Sequence, residues 1–122
     1  MNSALHRLGA VSRAYEIAAD EYRQIAQDAA EAEAAHKAAR AKAILRFKAA
    51  GEKVSHVDAE TRAEAQDDIA DLYRQRLISA ALQDSAREKL RQLREQVATG
   101  RTAVASEREV DRIHVGGLSG AA

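Results

Sequence analysis

The chain has no cysteine, no proline and no tryptophan, and aromatic residues make up only 3% of it. Without cysteine there is no disulfide framework, and no thiolate can act as nucleophile or metal ligand. With so few aromatics, the side chains able to bury much area reduce to Phe47, Tyr15, Tyr22, Tyr73 and a scatter of Leu, Ile and Val. Charge of one sign is also lacking. Lysine and arginine balance aspartate and glutamate at a formal net charge of zero, so no global field draws the protein to nucleic acid or membrane, and such a role would need local clusters. No stretch approaches the roughly 20 apolar residues of a membrane span. The opening MNSALHRLGAVSRAYEI lacks the apolar core of a signal peptide. The expectation is a soluble cytoplasmic protein.

Alanine, Glu, Lys, Arg and Leu dominate, a composition suited to long helices and coiled coils. At 122 residues there is room for one domain at most, without a large core. Leu8, Val11, Tyr15, Ala18, Tyr22, Ile25, Ala29, Ala32, His36, Ala39 and Ala43 alternate in steps of three and four, the seam of a helix that packs on another helix. Ile44 and Phe47 shift the stripe, and Gly51 can end it in a left-handed C-terminal position. Ser55 or Asp58 can cap a second helix. Its predicted buried side begins with Ile69, Leu72, Tyr73 and Leu77 and continues through Ile78, Leu82, Ala86, Leu90, Leu93, Val97 and Val104. Gly100 is a point where it can end, bend or meet a close neighbour. The pattern thus predicts one helical-hairpin domain over residues 1–115, with helices at about 3–50 and 58–113, a connector at 51–57 and a flexible tail at 116–122.

Charge blocks define how the helices pair. Residues 14–35 hold six acids and one arginine, net −5, and residues 36–53 hold six bases and one acid, net +5. Residues 54–73 return to −5, and residues 74–101 reach +4. Folding back near residue 54 brings every block beside its opposite and sets Gly9 across from Gly100. A parallel in-register dimer would stack like on like. The expected fold is therefore all-α, an antiparallel two-helix hairpin of coiled-coil type. Because an alanine-rich hairpin buries little area, it is expected to self-associate, as a dimer of hairpins forming a four-helix bundle.

The candidate contact residues are Arg87, Arg91, Arg94, Arg101 and Arg108. Arg87, Arg94, Arg101 and Arg108 fall seven apart on the flank of the Leu90–Leu93–Val97 seam. One reading has them pair with the first helix and cover its seam with their aliphatic stems. The matching flank of the first helix, Ala19, Ala26 and Glu33, is mostly uncharged, whereas Lys89 on the other flank meets Glu21 and Asp28. Arginines left over can contact phosphates or an acidic protein surface. No aromatic interleaves them, so base stacking is not suggested. The basic run HKAARAKAILRFK at 36–48 spreads around its helix, which favours pairing with the acids at 58–71.

The histidines at 6, 36, 56 and 114 lack metal-ligand spacing. His36 lies on the seam, as a half-buried residue or a pH-sensitive contact. Ser55, His56 and Asp58 read as cap and turn residues rather than a catalytic set, which needs converging geometry. Glu60, Glu64, Asp67, Asp68 and Asp71 suit a solvated acidic face more than a cation site. There is no phosphate-binding glycine loop and no HExxH. The expectation is no enzymatic activity, no cofactor and no metal.

The segments AHKAARAKAILRFKAAGEKVS, ADLYRQRL and AREKLRQLREQVATGRTAVASERE carry a resemblance. The stretch from Ala34 to about Glu109 is similar to small helical proteins of bacteriophages and prophages, especially those of actinobacteria. In that family an alanine- and lysine-rich helix leads through a glycine connector to a second helix with this arginine–leucine pattern. The resemblance implies a phage early-region protein, alongside replication or recombination proteins, and brings no catalytic residues. Two functions follow as expectations. One is a non-enzymatic adaptor that self-associates and binds a phage or host protein. The alternative is a DNA-binding accessory protein of recombination or replication, held by the arginine row. A third reading is a packaging or virion component.

Overall fold

The computed structural model describes residues 3–50 and 54–121, with side chains as far as residue 116, and the described chain is all-α. Three helices appear among the described residues: α1 at Ser3–Ala49, α2 at His56–Glu64 and α3 at Asp67–Ala121. Alanine supplies most of the intrinsic helicity of α1. Arg46 and Lys48 in its last turn complement the negative end of the helix dipole.

The hairpin expected from sequence is there in its two long helices, but its second helix is broken. Ser55 is the N-cap of α2, its Oγ accepting the Asp58 N–H at 3.1 Å. A cap of this kind contributes about 1 kcal/mol. The helix stops after nine residues without glycine or proline. The N–H of Gln66 donates to the Ala63 carbonyl at 3.2 Å, tightening the end into a 3₁₀-type turn. Asp67 and Asp68 then open α3 at the end where a negative charge is favourable.

Packing explains the break. Ala59 and Ala63 of α2 are fully buried against Ala43 and Ile44 of α1 and Ile69 of α3, with Ala39, Phe47 and Val54 around them. The connector expected at 51–57 is reduced at its end, since α2 starts at His56. The expected Gly51 cap lies outside the described residues. At the other end, α3 remains helical to Ala121, over the stretch where a flexible tail was expected.

The chain divides into two compact units, Met1–Glu21 with Ala86–Ala122, and Tyr22–Ser85. In each, α1 and α3 run antiparallel. In the first, Leu8 faces Gly100 and Glu21 pairs with Lys89 at 3.8 Å, the partner expected for that lysine. In the second, Glu33 pairs with Arg76 at 3.3 Å, and Arg40 reaches Glu64 of α2 at 3.0 Å and Glu60 at 3.5 Å. These pairs join acidic blocks to basic ones, as the alternation of charge requires.

The α1 seam follows its heptad, with every position from Leu8 to Ala43 buried or half-buried. The α3 seam follows it only in the first unit, where Ala86, Leu90, Leu93 and Val97 are half-buried and Val104 is buried. In the second unit Ile69 and Leu72 turn inward as expected, but Leu77, Ile78 and Leu82 do not, and Tyr73, although its ring meets His36, stays about half exposed as they do. Arg76, Ser79 and Gln83 take the half-buried positions instead.

The expected Gly9–Gly100 approach is one-sided. A methyl group built on Gly100 would lie 3.1 Å from Leu8 Cδ1, whereas one on Gly9 would meet only the Arg13 side chain, at 3.8 Å. Gly100 neither ends nor breaks α3, which runs through it.

Candidate partner-binding surfaces

Three places carry candidate chemistry: the arginine row, the surroundings of His36, and the exposed apolar residues of α3. The arginines do not act alike. Arg91 is held on its own helix, donating to Glu88 and, at 2.9 Å, to Glu95. The hydrogen bond from Arg91 lowers the pKa of Glu88, and Glu88 in turn raises that of Arg91. This internal pairing leaves Arg91 poorly placed to grip a partner. Arg87 also has a partner within the chain.

Arg94 and Arg101 border a groove in the first unit together with Val97 and Ala98 of α3 and Ser12, Tyr15 and Glu16 of α1. The facing flank is thus polar and lies nearer the N-terminus than the Ala19–Ala26–Glu33 set expected from sequence. Among the described residues, neither Arg94, Arg101 nor Arg108 makes a hydrogen bond or ion pair. All three are exposed. The row therefore separates into two engaged arginines and three that keep their donors.

In the second unit His36 is 6% exposed and packs on Tyr73, ring centroids 5.2 Å apart and planes tilted by 48°. Arg76 Nη1 lies 3.2 Å from His36 Nδ1, and Arg76 Nη2 lies 3.3 Å from Glu33 Oε1. A guanidinium only donates, so Nδ1 accepts and a neutral His36 carries its proton on Nε2. Burial lowers the His36 pKa first, and the nearby charges of Arg76 and Arg40 lower it further, against a smaller opposing effect of Glu64. Glu33 is held low chiefly by its hydrogen bond to Lys37, 2.8 Å away, then by the charges of Lys37 and Arg76. Of the two readings open for His36, the surroundings match a buried, hydrogen-bonded seam residue. Glu64, Ile69, Ala70, Tyr73, Arg74 and Leu77 line a groove beside it.

The remaining acids are engaged or spread apart. Glu60 and Glu64 are taken by Arg40, and Asp71 accepts from Arg74 at 3.1 Å. Among the described residues no cluster of three or more His, Asp or Glu side chains is arranged to hold a metal ion. Ser55 and Asp58 serve the α2 cap, while His56 sits between Lys48 and Glu60. No described helix is long and apolar enough to cross a membrane.

The surfaces that sequence reading missed are two exposed sides of α3, one with Tyr73 and Leu77 and the other with Ile78 and Leu82. Tyr73, Leu77, Ile78 and Leu82 are 49%, 51%, 48% and 56% exposed. The heptad reading places them in the intramolecular seam. The signal against that lay in the pattern: at 100° per residue, positions 69, 72, 73, 77, 78 and 82 spread around most of the helix. One packing partner needs only an apolar stripe, and a helix apolar nearly all round has surfaces for two.

Comparison with protein-family models, with curated proteins and with solved structures finds no match for this chain.

Proposed function

We propose that this protein is a non-enzymatic helical adaptor that self-associates and joins a protein partner. The observation that carries the reading is the half-exposed set Tyr73, Leu77, Ile78 and Leu82 on ten consecutive residues of α3. The core supplies the contrast. Among the described residues, the buried hydrophobics larger than alanine are Ile44, Ile69 and Val104. A chain that leaves more large apolar side chains outside than inside has surface to cover, and exposed apolar patches mark protein interaction. The resemblance of residues 34–109 to small bacteriophage proteins supports a phage or host protein as the partner. Light scattering over a range of concentrations tests the self-association: a dimer or larger species is expected, and a monomer at every concentration would sink the reading.

A second reading, a DNA-binding accessory protein, is favoured by one specific observation. Arg94 and Arg101 sit together at a groove without ion-pair partners among the described residues, and Arg108 continues their row. If they contact phosphates, affinity falls steeply with salt. Replacing Arg94 and Arg101 together by alanine then reduces the slope of log affinity against log salt by about 2. Absence of binding to single- or double-stranded DNA at low salt removes this reading.

A further inference from the structure

The arginines that keep their donors lie on a stripe of α3 with alanines between them. Arg94, Ala98, Arg101, Ala105 and Arg108 follow at steps of four, three, four and three. At 3.6 residues per turn they keep within about 80° of the helix circumference. All five are exposed. On a helix an arginine finds its acids three or four residues away. Around Arg94 those positions hold Leu90, Arg91, Val97 and Ala98, and around Arg101 they hold only valine and alanine. The opposite wall of the groove is α1, with Ser12 and Tyr15 half-buried and Glu16 exposed. One heptad before Ser12, Leu5 is 43% exposed.

We infer that this groove seats an amphipathic helix of another protein, lying between α1 and α3, with one carboxylate in each heptad opposite Arg94, Arg101 and Arg108. This rests on the adaptor reading above and names the surface and the chemistry of its protein partner. Two features select such an occupant. The first is period. Successive arginines stand seven residues apart, about 10.5 Å along the axis, and a helix laid alongside repeats its own side chains at the same interval. A DNA duplex does not match. Over the roughly 21 Å from Arg94 to Arg108 each strand winds through more than half of its turn of roughly 34–36 Å, so a straight row cannot keep to one backbone. The second is the surface between the charges. Ala98 and Ala105 admit a close helix, and Val97 and Tyr15 offer it apolar area that a phosphate chain would leave uncovered. Glu16 stands on the α1 wall, so the partner's acids belong on its α3 side, since like charges opposed across a seam are unfavourable.

The probe is a synthetic helical peptide of three heptads, with Leu and Ala in its seam and Glu at one flanking position of each heptad. Control peptides carry Gln or Lys at that position. Fluorescence anisotropy is expected to show the Glu peptide binding at least tenfold more tightly than the Gln peptide, and no binding of the Lys peptide. The double variant Arg94→Glu, Arg101→Glu is expected to lose the Glu peptide at least tenfold and to bind the Lys peptide instead. Circular dichroism checks that it stays helical. Should it not, Arg94→Gln with Arg101→Gln is expected to abolish the preference for Glu over Gln. No binding of the Glu peptide, or equal binding of the Glu and Gln peptides, overturns the inference. Single- or double-stranded DNA bound through these arginines in place of the Glu peptide overturns it as well and assigns the row to nucleic acid. Light scattering on the protein alone reads self-association separately. A dimer that ignores the Glu peptide overturns this inference and leaves self-association standing, and a monomer sinks self-association whatever the peptide does.

Discussion

His36 is the residue where position and chemistry are most at odds. It occupies a heptad seam position, is nearly sealed from water, and stands between cations on two sides. Tyr73 and Arg76 face it from α3, Arg40 acts on it from α1, where Glu33 shares Arg76 with it, and Glu64 approaches from α2. Its lowered pKa has a defined consequence for stability. Below about pH 6.5 the unfolded chain takes up a proton on His36 more readily than the folded one does. The folded state is therefore favoured by a neutral His36 above that pH, and the contribution is lost as pH falls through the lower folded value. Urea unfolding of the protein and of His36→Gln should show the protein's advantage at pH 7.5 shrinking by pH 5. An advantage that grows toward acid would mean that Glu33 and Glu64 outweigh the arginines. The arginine row shows the same point at residue scale. Five side chains alike in sequence differ in role because Glu88 and Glu95 stand within one turn of Arg91 but not of Arg101.

Among the elements, α3 carries two constraints that α1 does not. Gly100 lies under Leu8, so its missing side chain is part of the contact between α1 and α3, whereas a Cβ on Gly9 would make only ordinary contact with the Arg13 side chain. Gly9→Ala should raise stability by about 1 kcal/mol, the propensity difference inside a helix. Gly100→Ala gains the same propensity but must displace Leu8 Cδ1 by a few tenths of an ångström, so a smaller gain is expected. Gly100→Leu, which cannot fit there, should cost about 1–3 kcal/mol. Denaturant midpoints for the three variants check the order. Equal gains for Gly9→Ala and Gly100→Ala would show that the Leu8 contact imposes no constraint. The break between α2 and α3 is likewise an element-scale event, made by alanine packing rather than by a helix breaker.

For the whole molecule, the decisive quantity is how little large apolar surface the described core holds. Ala4, Ala18, Ala29, Ala43, Ala59 and Ala63 are buried, and each removes little area from water compared with a leucine or isoleucine. A chain built this way gains stability by covering Tyr73, Leu77, Ile78 and Leu82. If a second copy does so, folding and association are linked, and the melting temperature must depend on protein concentration. A rise of several degrees over a hundredfold increase in concentration is expected for the protein, and a nearly constant value for Leu77→Glu. A concentration-independent melt in the unaltered protein would separate folding from assembly.

The sequence by itself determined the helical class, the antiparallel sense, the register near residue 54 and the seam of α1. Those properties follow from short-range rules: alanine propensity, a period of three and four, and alternating blocks of charge that tolerate only one orientation. The Lys89–Glu21 pair was legible for the same reason. What only the tertiary structure decided was which of two apolar sides of α3 faces α1, where the second helix breaks, and which arginines retain free donors. Periodicity gives the angle of a side chain about its own helix, not the direction of its neighbour. Where α3 is apolar on both sides, as at residues 69–82, the choice is made by the packing of Ala59 and Ala63 on Ala43, a contact between segments whose register no local pattern encodes.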